Sequence, residues 1–408
     1  MSQPRTEALP PTLTPPQAAV LQALLEHGPL TRPELADRID FSSPTVIHAI
    51  AELEAAGMVD NVETRQGARG RSALVYGLGR RSGWILGIDY GTSHVEFVAI
   101  DLSGATLESR RIPIDNEGRH PMAFDDEMRA ELARYRAACA RRHGRLRRAG
   151  LAVPTIVPTD QRIHPFRGGT HGAATGPAAT PSTLTQTGPS FDLGALVDAL
   201  AIPDGIEVVL ENNINCSAFA EARRLDGDET DLLYLHLGQG GAGLGIVVGG
   251  QLLRGRTGSA GELRWFPFPF APGAPAAFTL EDHFGARGFL DRARSALDGE
   301  GDAPETVSDV FDRAERGDRA ARAFIADFGQ EVALALTGFL AVVDPAIGVL
   351  GGGLGSRPLL VEDVRLGLSR IGRDIPLSSD PGETSSAIGA AMLSLERERR
   401  ALGLVPGP

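Results

Sequence analysis

Two adjacent amides follow an apolar run near the middle of the chain. The run 206–210 reads IEVVL, and the next residues are ENNINC, which place Asn212 and Asn213 just beyond it. An α/β protein usually positions its binding or catalytic groups at the carboxyl end of such a strand. A neutral amide donates and accepts hydrogen bonds but has no useful basicity near neutral pH. The pair therefore predicts contact with hydroxyl groups, and the alternative is that Asn213 only caps the helix expected over 214–223.

Two segments, 83–104 and 232–253, share the pattern strand, glycine turn, strand, glycine turn, strand. A tight turn between strands exposes consecutive backbone N–H groups that can cradle a phosphate. A single glycine-rich turn is more often only a hairpin, but two copies of an unusual motif in one chain carry more weight. The candidate phosphate-binding residues of the two turns are Asp89, Gly91, Thr92, Gly238 and Gly240.

A third glycine cluster follows Val349 and Leu350 and begins with Gly351 and Gly352. Because glycine has no Cβ, the cluster predicts either a close approach of the backbone to a nucleotide base or a plain turn from strand to helix. Both alternatives stay open on the sequence.

The first 80 residues predict three short helices followed by two strands. Thr14, Thr31 and Ser43 each stand where the N-cap of a helix is expected. Strands are expected near 59–62 and 73–76, joined by the glycine- and arginine-rich tip QGARGR. This is the plan of a winged helix-turn-helix domain, in which the third helix enters the major groove and the wing touches the DNA backbone or the minor groove.

Charge placement agrees with that plan better than total charge does. The net charge of −12 argues against coating nucleic acid with the whole surface. Between residues 63 and 81, however, five arginines accompany one carboxylate, which leaves an excess of four positive charges. DNA contact is therefore expected on the third helix and the wing, and the alternative is a three-helix module that binds protein. The candidate DNA-contacting residues are Ser42, Thr45, Ile47, His48, Arg65, Arg69 and Arg71.

The composition is that of a globular chain with two or three domains. The 408 residues are 42% hydrophobic and 23% charged. No apolar stretch approaches the length of a membrane span and no signal peptide is recognised, so we expect no membrane association and a cytoplasmic location. The two cysteines, Cys139 and Cys216, are too few for a disulfide framework or a zinc site.

Several motifs together resemble the ROK family (repressors, open reading frames and kinases). They are GARGRSALVYGL, LGIDYGTSH, ENNIN, LGQGGAGLGIVVGGQLLRGRTGSAGE and VDPAIGVLGGGL. The resemblance implies an α/β fold in which an N-terminal winged helix-turn-helix precedes a two-lobed, actin-like (ribonuclease H-like) sugar kinase fold. It implies a DNA-binding domain over 1–80, a first lobe over 83–205 plus 387–399, and a second lobe over 206–375 with the sugar pocket and dimer contacts.

The same resemblance implies that phosphoryl transfer is lost. In the family's kinases an Asp takes the proton from the attacking sugar hydroxyl, and Asn213 stands at that position. Losing a general base typically slows a reaction by ~10²–10⁴-fold. Gln239 stands where the kinases usually carry a small hydroxyl residue, which crowds the phosphate. The family's cysteine-rich zinc loop contains no Cys here, so we expect no metal and no cofactor.

In contrast to the general-base position, several of the family's sugar-binding positions keep suitable residues in this sequence. Asn212, Glu262 and Glu281 match family positions that hold sugar hydroxyls, and a pocket of amides and carboxylates rejects ligands that lack them. Trp265 stands where the family has a ligand-contacting, zinc-bound His, and an indole there would stack on a sugar or plug the pocket. For Glu262 the alternative is a salt bridge with a nearby Arg.

These features predict a sugar-responsive transcriptional regulator, a repressor, whose kinase-like sensor is catalytically inactive. Its partners would be operator DNA, a sugar or sugar-derivative effector, and further copies of itself in a homodimer or homotetramer. Two alternatives stay open, namely a regulator that retains ATP-dependent sugar kinase activity and a ligand-independent DNA-binding protein with a vestigial cleft.

Overall fold

The protein is described by a computed structural model whose strands form three sheets of three, five and six strands. The structure describes residues 13–66, 72–91, 94–114, 124–161, 163–164, 192–225, 230–239, 241–266, 279–297, 303–380, 382 and 385–404.

The N-terminal unit combines three helices with a three-stranded sheet in the order β1, β3, β2, which confirms the predicted winged helix-turn-helix. Thr31 caps the second helix as predicted, because its hydroxyl accepts from the Glu34 backbone N–H at 3.4 Å. The Thr31 N–H donates in return to the Glu34 carboxylate at 2.7 Å, which completes the capping box. The third helix is capped by Ser42 and not by Ser43, since the Ser42 hydroxyl accepts from the Thr45 N–H. The elements are α1 (Pro15–His27), β1 (Leu30–Thr31), α2 (Arg32–Arg38), α3 (Ser43–Ala55), β2 (Val59–Gln66) and β3 (Ser72–Leu78).

Two larger sheets follow, and they share one topology. In each, three antiparallel strands form a meander whose first strand also pairs in parallel with a later strand. This shared topology confirms the duplication seen in the glycine-turn pattern. The first sheet contains β4 (Trp84–Tyr90), β5 (His94–Ile100), β6 (Thr106–Pro113), β7 (Leu146–Val153), β8 (Ile163–His164) and β9 (Val208–Asn212). The second contains β10 (Leu232–Gly238), β11 (Gly241–Val248), β12 (Gln251–Leu252), β13 (Ile347–Gly351) and β14 (Leu377–Ser379).

Helices cover both sheets. Those with the first sheet are α4 (Asp126–His143), α5 (Leu193–Ala199) and α13 (Ser386–Ala401), whereas α6 (Asn213–Arg224) packs between α13 and the strands of the second sheet. Those with the second are α7 (Leu280–Phe284), α8 (Ala286–Ala296), α9 (Val307–Glu315), α10 (Arg319–Val343), α11 (Gly352–Gly355) and α12 (Pro358–Arg370).

The first sheet extends beyond the predicted start of the second lobe at residue 206. Strand β9 pairs in parallel with β7, with Leu210 opposite Leu151 and Asn212 opposite Val153. The apolar run that ends in the two amides is therefore part of the first lobe's sheet. The prediction placed it in the second lobe because hydrophobic alternation shows that a strand exists but does not show which strand it pairs with.

The N-terminal unit and the first lobe share one hydrophobic core. Buried side chains of α1 and α3, such as Leu21 and Ile50, belong to the same cluster as Ile85 of β4 and Leu395 of α13. Leu404, which follows α13, completes this cluster. The N-terminal unit is thus packed on the first lobe, whereas a domain joined only by a linker would leave these faces exposed.

A buried cation reinforces this junction. Arg147 of β7 forms an ion pair with Glu398 of α13 at 3.1 Å, and its side chain is 2% exposed. The same guanidinium donates to the carbonyl oxygen of Ser82 and contacts the sulfur of Met58, just before β2. Arg148 holds the other oxygen of Glu398 at 3.2 Å. One side chain therefore contacts the DNA-binding unit, the connecting segment and the last described helix.

Helix α10 is long and apolar enough, by length and composition, to be considered as a membrane span. It has 25 residues, and its most apolar 18-residue window has a mean hydropathy of 1.4. The expectation that no apolar stretch approaches that length is therefore wrong for this helix. One such helix is weak evidence of a span, because a core helix passes the same test; Ile325, Phe328 and Leu340 are buried in the core of the second lobe.

Candidate functional site

A cavity of about 1020 Å³ lies between the two lobes. Its wall takes residues from the end of β9, from the turns of both duplicated meanders and from the third glycine cluster, which are far apart in the sequence. The residues singled out by the sequence that line it are Asp89, Gly91, Asn212, Asn213, Gly238, Gln239, Glu262, Glu281 and Gly352.

Asn212 and Asn213 have different structural roles. Asn212 caps α6, because its carboxamide oxygen accepts from the N–H groups of Ile214 and Asn215 at 2.9 and 3.2 Å. Its Nδ2 donates to the carbonyl oxygen of Thr155 at 3.1 Å. Asn213 is the first residue of α6, and its side chain makes no hydrogen bond to another described residue. The capping alternative therefore applies to Asn212, and the Asn213 carboxamide remains available in the cavity wall.

Glu211, which precedes the amides, holds the end of β9 in place. Its side chain is 2% exposed and forms an ion pair with Arg254. Its other oxygen accepts from the backbone N–H of Asn212 and from Nδ2 of Asn215, both at 3.0 Å. Glu211 does not line the cavity, so this carboxylate supports the site and is not offered to a ligand.

On the second lobe, an arginine lies between two carboxylates. The Arg264 Nε is 2.8 Å from a Glu262 oxygen and 3.4 Å from a Glu281 oxygen. Burial raises the pKa of both carboxyl groups above the ordinary value, and the Arg264 charge opposes that rise. The salt-bridge alternative for Glu262 is thus what the structure shows. Arg264 was not among the predicted site residues, because the resemblance drew attention to the next residue, Trp265.

Trp265 is not part of the cavity wall. Its side chain is 51% exposed, and the short helical turn that contains it buries Leu263 instead. The adjacent Phe266 ring packs edge-on against Phe339 at 5.2 Å, on a different surface of the lobe. The predicted ligand contact of Trp265 is therefore replaced in the wall by Arg264.

The segment 267–278, in which we expect no zinc site, lies outside the described residues. Within the described part of the chain, no group of three or more His, Cys, Asp or Glu side chains is arranged to hold a metal ion.

The turn between β4 and β5 is surrounded by contacts among residues of β4, β5 and β6. The Gly91 N–H donates to the His94 carbonyl oxygen at 3.0 Å. The His94 Nε2 is 3.4 Å from an Asp89 oxygen and 3.1 Å from the Arg111 guanidinium. The Gly91 N–H and the Arg111 guanidinium, which a phosphate-binding turn would offer to its ligand, therefore contact His94 instead. Thr92, the remaining predicted phosphate contact here, lies outside the described residues.

The turn between β10 and β11 lies against the Glu281 carboxylate. Gly241 has φ of +125°, and a Cβ there would collide with the Glu281 carboxylate. A Cβ on Gly238 would likewise collide with the His236 ring. Gln239 between them lines the cavity and is exposed, whereas Gly240 lies outside the described residues. Glycine at 238 and 241 is thus required by neighbours within the chain.

The third glycine cluster forms the turn from β13 to α11. Gly352 has φ of +81°, and a Cβ there would collide with the Leu237 carbonyl. A Cβ on Gly351 would collide with the Tyr234 hydroxyl, which donates to Asp380 at 2.9 Å. These intrachain contacts account for Gly351 and Gly352, whereas a Cβ on Gly353, which lines the cavity, would meet no described atom within 4 Å. The structure thus shows the predicted turn from strand to helix.

The predicted DNA-contacting residues of α3 lie off its buried face. Val46, Ala49, Ile50 and Leu53 are buried, and Ile47 is 46% exposed. The His48 Nε2 is 3.2 Å from the Glu52 carboxylate, one turn further along the exposed face.

The remaining predicted contacts belong to the cap of α3 and to the wing. Ser42 and Thr45 share a hydrogen bond of 2.8 Å between their hydroxyls at the start of α3. Arg65, near the end of β2, is half exposed and lies 3.3 Å from Glu34 of α2. Arg69 and Arg71 lie outside the described residues.

Comparison with known families divides the chain at the same place as the fold does. The ROK family profile matches residues 85–397, and the MarR family profile matches residues 12–70. The first match covers both large sheets, and the second covers the helices and part of the wing of the N-terminal unit.

Curated relatives include repressors and enzymes. The xylose repressor of Bacillus spizizenii is 20% identical over 395 residues, which are 93% of this chain and 94% of that protein. The bifunctional enzyme NanE/NanK of Brucella melitensis is 32% identical over 217 residues, which are 52% of this chain. The matched region spans only 39% of that enzyme's length.

Solved structures share the fold. A ROK family transcriptional regulator, a homologue of the E. coli MLC protein, matches with a TM-score of 0.68 and 19% identity, covering 95% of this chain and 97% of that chain. A ROK hexokinase from Thermus thermophilus matches with a TM-score of 0.57 and 23% identity, covering 77% of this chain and 99% of that chain. Since the family profile spans well over half of its residues, the chain belongs to the ROK family.

Proposed function

We propose that this ROK family member is a sugar-responsive, DNA-binding transcriptional repressor. The observation that carries the proposal is the continuity of the structure from the cleft to the DNA-binding unit. Ser385 and Ser386, at the start of α13, line the cavity, and Leu395 and Leu404 lie in the core that the helix shares with the DNA-binding unit. A change at the cleft therefore has a physical route to the DNA-binding surface.

The DNA-binding half of the proposal is supported by the exposed face of α3 and by the wing. The MarR family match covers this unit, and a relative of nearly the same length is named a xylose repressor. A single winged unit has a small interface with DNA, so we propose that two copies read a two-part operator. We assign residues 1–80 to this domain.

The ligand-binding half is supported by the groups in the cavity wall. The Asn213 carboxamide, Glu262 and Glu281 offer acceptors and a donor from opposite lobes, which suits vicinal hydroxyls. We assign Asn212 a supporting role, because its carboxamide holds the helix start and the Thr155 carbonyl. The proposed ligand is a neutral carbohydrate or a close derivative that bridges the two lobes.

We further propose that the cleft does not transfer phosphate. The general-base position holds Asn213, and the nearest carboxylate in sequence, Glu211, is buried and paired with Arg254. The first glycine turn is engaged by His94 and Arg111. Because several relatives are kinases, this point needs its own test. Purified protein incubated with ATP, Mg²⁺ and a hexose panel should form no sugar phosphate above a no-protein control.

Sugar phosphate formation that rises further in Asn213→Asp would overturn this part and favour a bifunctional regulator. If neither the wild type nor Asn213→Asp forms sugar phosphate, the proposal of a sensor without kinase activity stands.

Ligand binding must favour one arrangement of the lobes to change DNA occupancy. A switch from 1:99 to 99:1 needs a difference in ligand affinity of about 5.5 kcal/mol between the two arrangements. Closure of the cleft would move α13 relative to the second lobe, and the Arg147–Glu398 contact would transmit that movement to the DNA-binding unit. We assign 83–212 with α13 to the first lobe and 230–380 to the second.

The proposal is tested by footprinting the protein on genomic DNA with and without a carbohydrate library. We expect a two-part footprint whose occupancy changes with a subset of sugars, and the direction of that change shows whether the sugar releases or recruits the protein. A footprint that no sugar alters would favour a ligand-independent DNA-binding protein. Sugar binding without any footprint would contradict the DNA-binding half of the proposal.

A further inference from the structure

The cavity between the lobes is larger than the groups assigned to the sugar require. Its volume of about 1020 Å³ is at the top of the usual range for a small-molecule pocket, about 300–1,000 Å³. Its wall also includes Ser308 of α9 and Gly353 of α11, to which no role has been assigned. A single sugar ring held by Asn213, Glu262 and Glu281 would therefore fill only part of this space.

His236 of β10 also lines the cavity, within reach of a ligand that contacts Glu281. A Cβ on Gly238 would be 2.4 Å from the His236 Nε2, and a Cβ on Gly241 would be 2.4 Å from the Glu281 Oε1. These two glycines lie directly opposite each other in the pairing of β10 with β11. Because Cβ atoms of opposed residues are about 4.5–5.5 Å apart, Nε2 and Oε1 lie within about 10 Å of each other.

The His236 side chain offers a hydrogen-bond donor to the cavity. Its Nδ1 is buried and has no hydrogen-bond partner among the described residues. A proton on Nδ1 would leave a buried N–H unsatisfied, so we assign the proton of the neutral ring to Nε2. Burial lowers the pKa of His236, although Asp380 and Asp89 oppose that change, so the ring is neutral at pH 7. A neutral imidazole in this form donates to a hydroxyl or ether oxygen.

The carboxylates near His236 favour hydroxyl groups over phosphate. Asp89 and Asp380 line the same cavity and are 4% and 7% exposed. A phosphate beside them would meet like charge, and the neutral His236 ring supplies no compensating cation. Sugar hydroxyls, in contrast, can donate to carboxylate oxygens and accept from Nε2. The donor and the acceptors at this end of the cavity therefore suit a second sugar ring.

We propose that the part of the cavity around His236 is a second saccharide subsite, and that the effector is an uncharged carbohydrate of at least two rings. His236 donates from Nε2 to an oxygen of the second ring. The inference rests on the proposed function, because the first ring occupies the site formed by Asn213, Glu262 and Glu281. It accounts for a cavity that is larger than one sugar ring needs.

Calorimetric titration of the full-length protein tests the proposal by comparing disaccharides with their own component sugars. The ligands are maltose, cellobiose, xylobiose and lactose, the monosaccharides that compose them, and hexose phosphates. We expect at least one disaccharide to bind at least ~10-fold more tightly than either of its components. A crystal of that complex should show the second ring beside His236.

Substitutions of His236 test its role as the donor. His236→Leu should reduce the ratio of the monosaccharide to the disaccharide dissociation constant by at least ~5-fold, because a ligand oxygen loses its partner. His236→Gln keeps an N–H near the position of Nε2 and should retain more of that ratio. His27→Leu, at the end of α1 with a side chain 46% exposed, should leave the ratio unchanged. Since both sugars are measured on each variant, a general loss of stability does not mimic the effect.

Four results would overturn the proposal. An unchanged ratio in His236→Leu would exclude His236 from the subsite, and equal losses in His236→Leu and His236→Gln would make it a packing residue. Hexose phosphate that binds more tightly than every disaccharide, or displacement of a bound disaccharide by ATP, would assign this end of the cavity to phosphate.

The outcome is separable from that of the proposed function. If monosaccharides bind as tightly as every disaccharide and alter DNA occupancy, the sugar-responsive repressor stands and the second subsite fails. If no sugar in the set binds, the ligand-binding half of the proposed function fails and the second subsite fails with it.

Discussion

At the scale of single residues, the two adjacent amides show how local geometry divides similar side chains between support and recognition. Asn212 ends β9 and Asn213 follows it, and both are chemically able to cap α6. The helix begins at Asn213, so Asn212 becomes the N-cap and uses its carboxamide within the chain. The sequence predicted that amides would line the cleft, but it could not predict the helix start to one residue, and that start decides which amide is available.

This division predicts opposite phenotypes for two neighbouring substitutions. Asn212→Ala should lower the free energy of unfolding by about 1 kcal/mol, because a helix N-cap is lost. Asn213→Ala should change it by no more than ~0.5 kcal/mol but should abolish the stabilisation that sugar confers. Urea unfolding and sugar-dependent thermal shifts measure both quantities. Equal destabilisation by the two changes would show that Asn213 is also structural.

The two cleft carboxylates predict an unusual dependence of stability on pH. Burial raises the pKa of Glu262 above its ordinary value of 4.5, so at pH 7 the folded protein holds a charge that the unfolded chain holds more easily. The resulting cost is present above the folded pKa and disappears as the pH falls through about 4.5. Glu262→Gln should therefore be at least as stable as the wild type at pH 7 and lose any advantage near pH 4.

Glu108 provides the control of opposite sign. Although burial opposes it, hydrogen bonds from His143 and Arg142 lower the pKa of Glu108. Glu108→Gln should therefore reduce stability at pH 7, and the difference from the wild type should shrink as the pH falls below 4.5. Unfolding curves at several pH values check both variants. If Glu262→Gln lowers the free energy of unfolding at pH 7 and this loss fades on acidification, the charged Glu262 carboxylate stabilises the fold and the prediction is wrong.

At the scale of elements, what the sequence predicted best were features set by short-range chemistry. The capping box at Thr31, the buried stripe of α3 and the duplicated glycine-turn meanders were all found where the local pattern placed them. Pairings between distant strands were not accessible in this way. The position of β9 beside β7 depends on contacts across some 60 residues, and residue alternation carries no information about that partner.

The wing gives a prediction for DNA binding. Arg65→Ala should weaken binding to all sequences alike and reduce the slope of log affinity against log salt by about 0.9, because one phosphate contact is lost. Its existing contact with Glu34 is exposed and contributes little to stability. Fluorescence anisotropy at several salt concentrations measures the slope, with Arg370→Ala on α12 as the charge-matched control. The sequence predicts the same result for Arg69 and Arg71.

If the slope for Arg65→Ala equals that for Arg370→Ala, the wing does not touch the phosphate backbone. Loss of specificity without a change in slope would instead assign Arg65 to a base.

The contact between β7 and α13 gives a prediction for coupling. Arg147→Met removes the cation and leaves Glu398 buried with Arg148 as its remaining partner. We expect a loss of about 3 kcal/mol, the low end for breaking a buried pair. Hydrogen exchange in α1 to α3 should increase, and DNA binding should persist but no longer respond to sugar. Arg141→Met on the exposed end of α4 should change none of these.

A sugar response retained by Arg147→Met would show that the signal travels by another route. Uniformly faster hydrogen exchange over both lobes would reduce the role of Arg147 to general stability.

At the scale of the whole molecule, the DNA-binding unit and the cleft are two surfaces of one packed body. The sequence predicted both from motifs. It did not predict the packing of the winged unit on the first lobe, because Leu395 and Leu404 read only as the apolar residues of an ordinary helix and turn.

If cleft and DNA surface are coupled, their coupling is reciprocal. Whatever factor sugar applies to the operator affinity, the operator must apply to the sugar affinity, and a factor of 5 to 150 is about the usual range. Titration calorimetry of sugar with and without saturating operator measures the second factor, and anisotropy measures the first. Unequal factors would show that sugar acts on some other equilibrium, such as the association of subunits.

The junction between α13 and the winged unit also bears on the order of events during synthesis. The winged unit emerges from the ribosome first, whereas α13 and Leu404 come after every other described element, and domains generally begin to fold as they emerge. An incomplete nascent chain thus carries the winged unit before α13, the helix on which that unit packs, has been synthesised. Under the proposed coupling, DNA binding by the winged unit can respond to sugar only once α13 is present. A transcript that ends before α13 would therefore encode a protein that competes for the operator without responding to sugar.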